Sequence, residues 1–288
     1  VNFDSADTWA NPEIFQLNEK SLKPRKVSGV PPDYFSEHGQ KWGNPLYQWF
    51  EADGQSLNER TYQWWKKRMA HQLRLVDIVR IDHFRGFESY WAVPLKAETA
   101  IDGKWQKGPG IDFFKRLESD LGNLPLIAED LGIITKAVEL LRDELGLPGM
   151  KILQFAFDFD PGNFHLPGNY TSSNCIVYTG THDNNTTNGW FYGSDIDNGT
   201  REYILDFIGA ENWDEFHWKL IRFAMTSTAC LSVFPVQDVL GFSSEFRMNN
   251  PALTVNNWRW KLSENKLSEY HSRRLLEMTR MYNRYPGT

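Results

Sequence analysis

The chain has 288 residues, with 31 Lys and Arg against 37 Asp and Glu and a formal net charge of −6 at pH 7. Scattered basic residues with a mild acidic excess speak against a nucleic-acid partner, and no apolar run reaches the roughly 18 residues needed to span a bilayer. Cys175 and Cys230 lie in apolar runs and read as two free thiols of a reducing compartment rather than a disulfide.

Taken in chain order, the first 50 residues carry turn signals (Pro24, Gly29, Pro31-Pro32, Gly39, Gly43-Asn44-Pro45) and read as irregular, apart from a strand stub at Val1-Asn2-Phe3. Ser56-Leu57-Asn58-Glu59 reads as a capping box opening a helix that runs to about Leu75, with Tyr62, Trp65, Met69 and Leu73 at helical spacing. Strand-like runs then follow at 76–82, 124–129, 150–157, 175–181 and 230–236. Helix-like segments fall at 110–121, 135–145 (Thr135 as N-cap), 199–209, 213–228 and 266–284. This alternation predicts an α/β fold with a parallel sheet and right-handed crossovers.

Three of the strand-like runs end in, or lead into, a carboxylate: Asp82, Glu129 and Asp183. In a (β/α)8 barrel, side chains at the C-terminal strand ends converge on the face where such barrels do their chemistry. Two carboxylates flanking a sugar linkage are what glycosidic bond cleavage requires. Arg80, two residues before Asp82, points to the same side of the strand, and its guanidinium favours the ionised carboxylate that a nucleophile needs. A purely structural Asp–Arg pair is the alternative. Glu129 follows an apolar run, the surroundings a general acid needs to hold its proton, although a solvated loop acid fits the same pattern.

His182 and Asp183 suit hydrogen bonds to adjacent sugar hydroxyls. A metal site competes for the same residue types, but the remaining histidines lack zinc-type spacing and no metal is expected. His83 would point away from Asp82 on a strand. Neither a Gly-x-Ser-x-Gly elbow nor a Gly-rich phosphate loop occurs in the sequence, and neither cysteine adjoins an obvious base. Aromatic residues make up 15% of the chain, with 12 Trp; core packing accounts for most such residues, while sugar clefts use aromatic faces for stacking.

Six motifs in order resemble the 4-α-glucanotransferases of the amylomaltase (disproportionating enzyme) family. They are Gly29-Val30-Pro31-Pro32-Asp33-Tyr34-Phe35-Ser36, Gly39-Gln40-Lys41-Trp42-Gly43-Asn44-Pro45-Leu46-Tyr47 and Arg80-Ile81-Asp82-His83-Phe84-Arg85-Gly86, followed by Ala128-Glu129-Asp130-Leu131-Gly132, Thr179-Gly180-Thr181-His182-Asp183-Asn184 and Pro235-Val236-Gln237-Asp238-Val239-Leu240. The resemblance implies Asp82 as nucleophile, Glu129 as general acid/base and Asp183 as transition-state stabiliser. It implies Arg80, His182, Trp42, Asp238 and Asn249 as substrate-binding residues. The implied reaction is retaining transfer of an α-1,4-glucan segment to the 4-hydroxyl of another glucan or of glucose, without a cofactor, the two carboxyls lying about 5–5.5 Å apart. An α-amylase-type hydrolase or a non-catalytic glucan-binding protein are the alternative readings. Cytoplasm is the implied compartment, or plastid stroma in a plant or alga.

Two departures from the family pattern stand out. Asn185 occupies a position where the family usually has Asp, and Ala252 follows Pro251 where a Gly is usual. Family members are longer, and the sequence starts at Val1 rather than Met. The resemblance therefore implies residues 1–288 as a partial catalytic barrel, with irregular insertions at about 5–55 and 93–110 and an N-terminal part of the same enzyme as its missing partner.

Overall fold

The computed structural model describes residues 1–32, 36–253 and 255–285. Asp33, Tyr34 and Phe35 of the first motif lie outside the described residues. The chain divides into two compact units, Val1–Gly149 and Met150–Thr288.

In the first unit the elements are α1 (Ala6–Ala10), β1 (Lys26–Val30), β2 (Gln40–Pro45), α2 (Glu59–Gln72), β3 (Val79–Ile81), β4 (Ser89–Pro94), β5 (Lys104–Lys107), α3 (Gly110–Leu121), β6 (Leu126–Ala128) and α4 (Lys136–Glu144). The first segment expected to be an irregular insertion holds β1 and β2 and the second holds β5. With β4, most of which precedes the second segment, they build a four-stranded antiparallel sheet in the order β2-β1-β4-β5. Its central pairing joins Val27 to Val93, far apart in sequence, so local turn signals could not reveal it. Close packing marks the β1–β2 pair too: a Cβ on Gly29 would sit 2.3 Å from the Gln40 carbonyl oxygen. The strand stub expected at Val1-Asn2-Phe3 is not a strand.

The capping box expected at Ser56 is also corrected. Asn58 is the N-cap of α2, its side chain accepting the Thr61 N–H at 2.9 Å. Ser56 is engaged one turn earlier, where its hydroxyl and its N–H both bond Asp53.

β3 and β6 pair in parallel, Val79 opposite Leu126 and Ile81 opposite Ala128. Both are shorter than the apolar runs that contain them. Residues 73–77 turn off the end of α2, and pairing begins where the Val79 N–H meets the Pro125 carbonyl at 3.0 Å. Around this pair packs a core of Trp49, Tyr62, Phe84, Phe87, Phe113, Phe114 and Leu117, with β6 contributing Leu126 and Ala128. Much of the aromatic content is spent here; rings meet at 5–6 Å in edge and tilted contacts, the geometry their quadrupoles favour.

The second unit takes up β7 (Gly149–Ile152) and continues with β8 (Cys175–Tyr178), α5 (Thr187–Tyr192), α6 (Asn198–Ile208), α7 (Phe216–Met225), β9 (Leu231–Val233), α8 (Val236–Val239) and α9 (Glu269–Met281). β7, β8 and β9 form one sheet in that order, and β8 and β9 run parallel. The run 150–157 is a strand only to Ile152; a 3-10 turn follows over Leu153–Phe155. The run 230–236 likewise ends at Val233, and Pro235 leads into α8. The core gathers Leu153, Val177, Trp190, Phe191, Phe216 and Leu220, with Phe191 stacked on Phe216 at 3.5 Å between centroids. Both cysteines are free thiols: Cys175 is buried, Cys230 exposed, and the Cys230 sulfur lies 3.2 Å from the Cys175 carbonyl oxygen. Among the described residues no helix is long and apolar enough to cross a membrane.

Candidate active site

In the first unit the register of β3 and β6 carries directly into the site. Ile81 faces Ala128, so Asp82 and Glu129 follow side by side as the two strands end. The Glu129 N–H donates to the Ile81 carbonyl at 3.0 Å, and the Phe84 N–H to the Glu129 carbonyl at 3.1 Å, which holds the two ends together beyond the strands.

The two carboxylates have different environments. The Asp82 side chain is 80% exposed, and one Arg80 Nη donates to its Oδ1 at 2.9 Å. The expected same-side placement of Arg80 and Asp82 is therefore present. The Glu129 carboxylate is largely enclosed, accepting the His83 N–H at 2.7 Å and the Leu131 N–H at 3.0 Å. Burial pushes its pKa above the usual carboxylate value; the Leu131 and His83 N–H groups and Arg80 oppose this, while the Asp82 charge adds to it. One exposed carboxylate held by a guanidinium stands beside one enclosed carboxyl that favours its proton. A contrast of that kind is what a nucleophile paired with a general acid requires.

His83 does not continue the strand. Its backbone is left-handed (φ +49°), and its ring meets Trp42 of β2 edge to face, 4.8 Å between centroids. Burial, with help from Arg85, holds its pKa down to about 4, so the ring is neutral at pH 7. Trp42 is 40% exposed and also donates its indole N–H to the Gln40 side chain at 3.1 Å. Behind Glu129, Asp130 is buried and accepts from Arg142 at 2.6 Å.

In the second unit, Thr181, His182 and Asp183 lie on the loop after β8. Asp183 lies 3.3 Å from His182 Nε2 through one carboxylate oxygen and accepts the Asn249 side-chain amide at 2.6 Å through the other. The Asn249 N–H donates to the His182 carbonyl at 3.1 Å. The structure thus brings His182, Asp183 and Asn249 together. Asp238 is placed differently. It is 1% exposed, accepting the Thr179 hydroxyl at 2.6 Å and the Thr187 N–H at 2.7 Å. Burial raises its pKa.

Trp258 escaped the sequence reading. It is 60% exposed, has a left-handed backbone (φ +61°), and lies 5.2 Å from the His182 ring between centroids. Its placement depends on its N–H bonding the Met248 carbonyl, which no local pattern signals. Arg247 was given no role by the sequence reading either; it donates to the carbonyls of Asn249 and Asp183. Among the described residues, no group of three or more His, Cys, Asp and Glu side chains is placed to hold a metal ion.

The profile of the family described as 4-alpha-glucanotransferase matches residues 1–267. The chain belongs to that family. It is 49% identical over 285 residues to the 4-alpha-glucanotransferase of Synechocystis sp., covering 99% of this chain and 55% of that protein. To the chloroplastic/amyloplastic family member of Arabidopsis thaliana it is 43% identical, covering 99% of this chain and 48% of that protein. The amylomaltase of Streptococcus agalactiae, solved in complex with acarbose, superposes with a TM-score of 0.89 at 35% identity, covering 98% of this chain and 56% of that one. The chain spans about half the length of the curated family members it matches.

Proposed function

We propose that the chain carries the catalytic carboxylates of a 4-α-glucanotransferase, which moves a segment of an α-1,4-glucan onto the 4-hydroxyl of a second glucan or of glucose. The observation that carries this reading is the contrast between Asp82 and Glu129 at the paired ends of β3 and β6. Asp82 attacks the anomeric carbon. Glu129, holding its proton, delivers it to the leaving glycosidic oxygen. A glucosyl ester on Asp82 results; Glu129, now ionised, takes the proton of the incoming 4-hydroxyl, whose oxygen displaces Asp82 with net retention.

Arg80 keeps the Asp82 carboxylate oriented. Asp183, His182 and Asn249 are assigned to the sugar hydroxyls, Asp183 opposing the positive charge that builds on the sugar ring, and Trp42 to stacking on the acceptor. The family resemblance implies Asp238 as a substrate-binding residue of the groove, but its burial and its two bonds favour a supporting role. The likeness to a solved amylomaltase supports a (β/α)8 barrel as the frame. The chloroplastic and amyloplastic Arabidopsis homologue supports plastid stroma in a plant or alga, with cytoplasm as the bacterial counterpart.

The test is incubation with maltotriose. Transfer yields glucose and a ladder of longer oligomers, whereas hydrolysis yields only shorter sugars, an outcome that would replace transferase by hydrolase. Asp82→Asn should lower turnover on the order of 10³-fold or more while leaving thermal unfolding unchanged. Turnover persisting in that variant removes Asp82 from the nucleophile's role.

A further inference from the structure

Asp183 sits on a loop, and nothing in β8 itself fixes where its carboxylate points. The structure assigns that task to Arg247, as a positioning residue for Asp183; the inference rests on the glucanotransferase reading and names a group outside those given roles there. Arg247 lies just after the 3-10 turn Ser244–Phe246 and is half-buried. One edge of its guanidinium spans two loops: Nε donates to the Asn249 carbonyl at 2.7 Å, and one Nη to the Asp183 carbonyl at 2.5 Å. A planar fork with fixed donor directions can hold two acceptors at once, which a single ammonium cannot do in the same geometry.

Three further bonds complete the clamp. The Asn249 side chain donates to the Asp183 carboxylate at 2.6 Å, and the Asn249 N–H to the His182 carbonyl at 3.1 Å. The Trp258 N–H donates to the Met248 carbonyl at 2.8 Å, which sets the indole beside His182. The loop behind them is closed by Asn257, whose side chain bonds both the N–H and the carbonyl of Asn250. Arg247 is thus the member that ties the backbone of Asp183 to the backbone carrying its partner Asn249. Removing it takes away the bond to the Asp183 backbone and leaves the two loops joined by the Asn249 bonds to the Asp183 carboxylate and to the His182 carbonyl. A carboxylate that must meet charge developing in the transition state loses more from such slack than ground-state binding does.

The experiment compares Arg247→Ala and Arg247→Lys with the full 288-residue chain by amide hydrogen exchange and by kinetics on maltotriose. In Arg247→Ala, exchange at Asn249 and Trp258 should quicken by about tenfold or more while Thr187, bonded to Asp238, stays as protected as before. The turnover number should fall by about tenfold or more with KM within about threefold, Arg247→Lys falling between. In an Asp183→Asn background, Arg247→Ala should cost little more, because both changes act through the same carboxylate. Unchanged exchange at Asn249 overturns the clamp; changed exchange with wild-type turnover, or losses that multiply with Asp183→Asn, overturns the positioning role. Should Arg247→Ala fail to unfold cooperatively, Arg247→Lys carries the same comparison. If the unaltered chain, about half the length of the family members it matches, leaves maltotriose untouched, the kinetic comparison is read with the N-terminal half of a family member added. Continued inactivity there fails the glucanotransferase reading, and the exchange data still decide whether Arg247 holds the loop.

Discussion

At the scale of single residues, the informative contrast is how one strand pair gives two neighbouring carboxyls different chemistry. Glu129 is enclosed and satisfied by two N–H groups, yet burial outweighs them and its proton is retained to higher pH than usual. Asp82 adds to the rise through its charge, so Asp82→Asn should lower the Glu129 midpoint, as followed by carbon NMR of the side-chain carboxyl. An unchanged or higher midpoint would mean that the Asp82 charge does not reach Glu129. The sign for folding follows. A carboxyl whose folded pKa lies above its unfolded value binds its proton better when folded. Its contribution to stability is therefore fully present below the unfolded pKa and lost as pH rises through the folded one.

At the scale of elements, the helix and strand alternation from Ser56 to the C-terminal helix is legible in the sequence, because each of those elements is specified by its own residues: Tyr62 and Met69 on one face of α2, Val138 and Leu141 on one face of α4. What escapes is set by partners distant in the chain. The sheet β2-β1-β4-β5 depends on Lys26–Val30 meeting Ser89–Pro94, and α5 begins where Asp238, some fifty residues on, receives the Thr187 N–H. The acidic strand ends Asp82 and Glu129 were legible for the opposite reason, since apolar runs closing on a carboxylate are a local pattern. Asp238 shows the limit of reading roles from motifs: its residue type is visible in the sequence, its burial is not.

Asp238 joins the end of β8, through Thr179, to the start of α5 and belongs itself to α8. Asp238→Ala would leave a buried hydroxyl and a helix-start N–H without this acceptor, and should destabilise the chain by about 2–4 kcal/mol in urea unfolding. Asp238→Asn, which keeps one oxygen acceptor, should lose less. A variant that binds glucan poorly but unfolds like the unaltered chain would instead return Asp238 to the groove.

At the scale of the whole molecule, three histidines are kept neutral by burial: His83 in the first unit, held to about 4, and His165 and His217 in the second, held to about 3 and about 4. Their folded pKa values lie below the unfolded value near 6.5, so each contributes stability that is present above pH 6.5 and is lost as pH falls toward the folded pKa. For the buried His165 the loss is about 2 kcal/mol by pH 5, from 1.5 pH units at about 1.4 kcal/mol each. Glu129 and Asp238, with raised pKa values, act in the opposite direction as they take up protons. The three histidines outnumber them. Urea midpoints should therefore fall between pH 7 and pH 5, and the fall should shrink in His83→Asn, a residue that tolerates the same left-handed backbone. Equal midpoints at the two pH values would show that the loss from these rings does not exceed the opposing gain from Glu129 and Asp238.

The pair of thiols in the second unit has its own consequence. Cys175 is enclosed within the sheet while Cys230 stands open just before β9, its sulfur resting against the Cys175 carbonyl oxygen. One chain therefore carries a sheltered thiol in a strand and a surface thiol just before the neighbouring strand. An alkylating reagent labels the surface thiol on contact and the sheltered one only when the β8–β9 pairing parts. The ratio of the two labelling rates is a built-in clock for breathing of this sheet, and it needs no engineered probe.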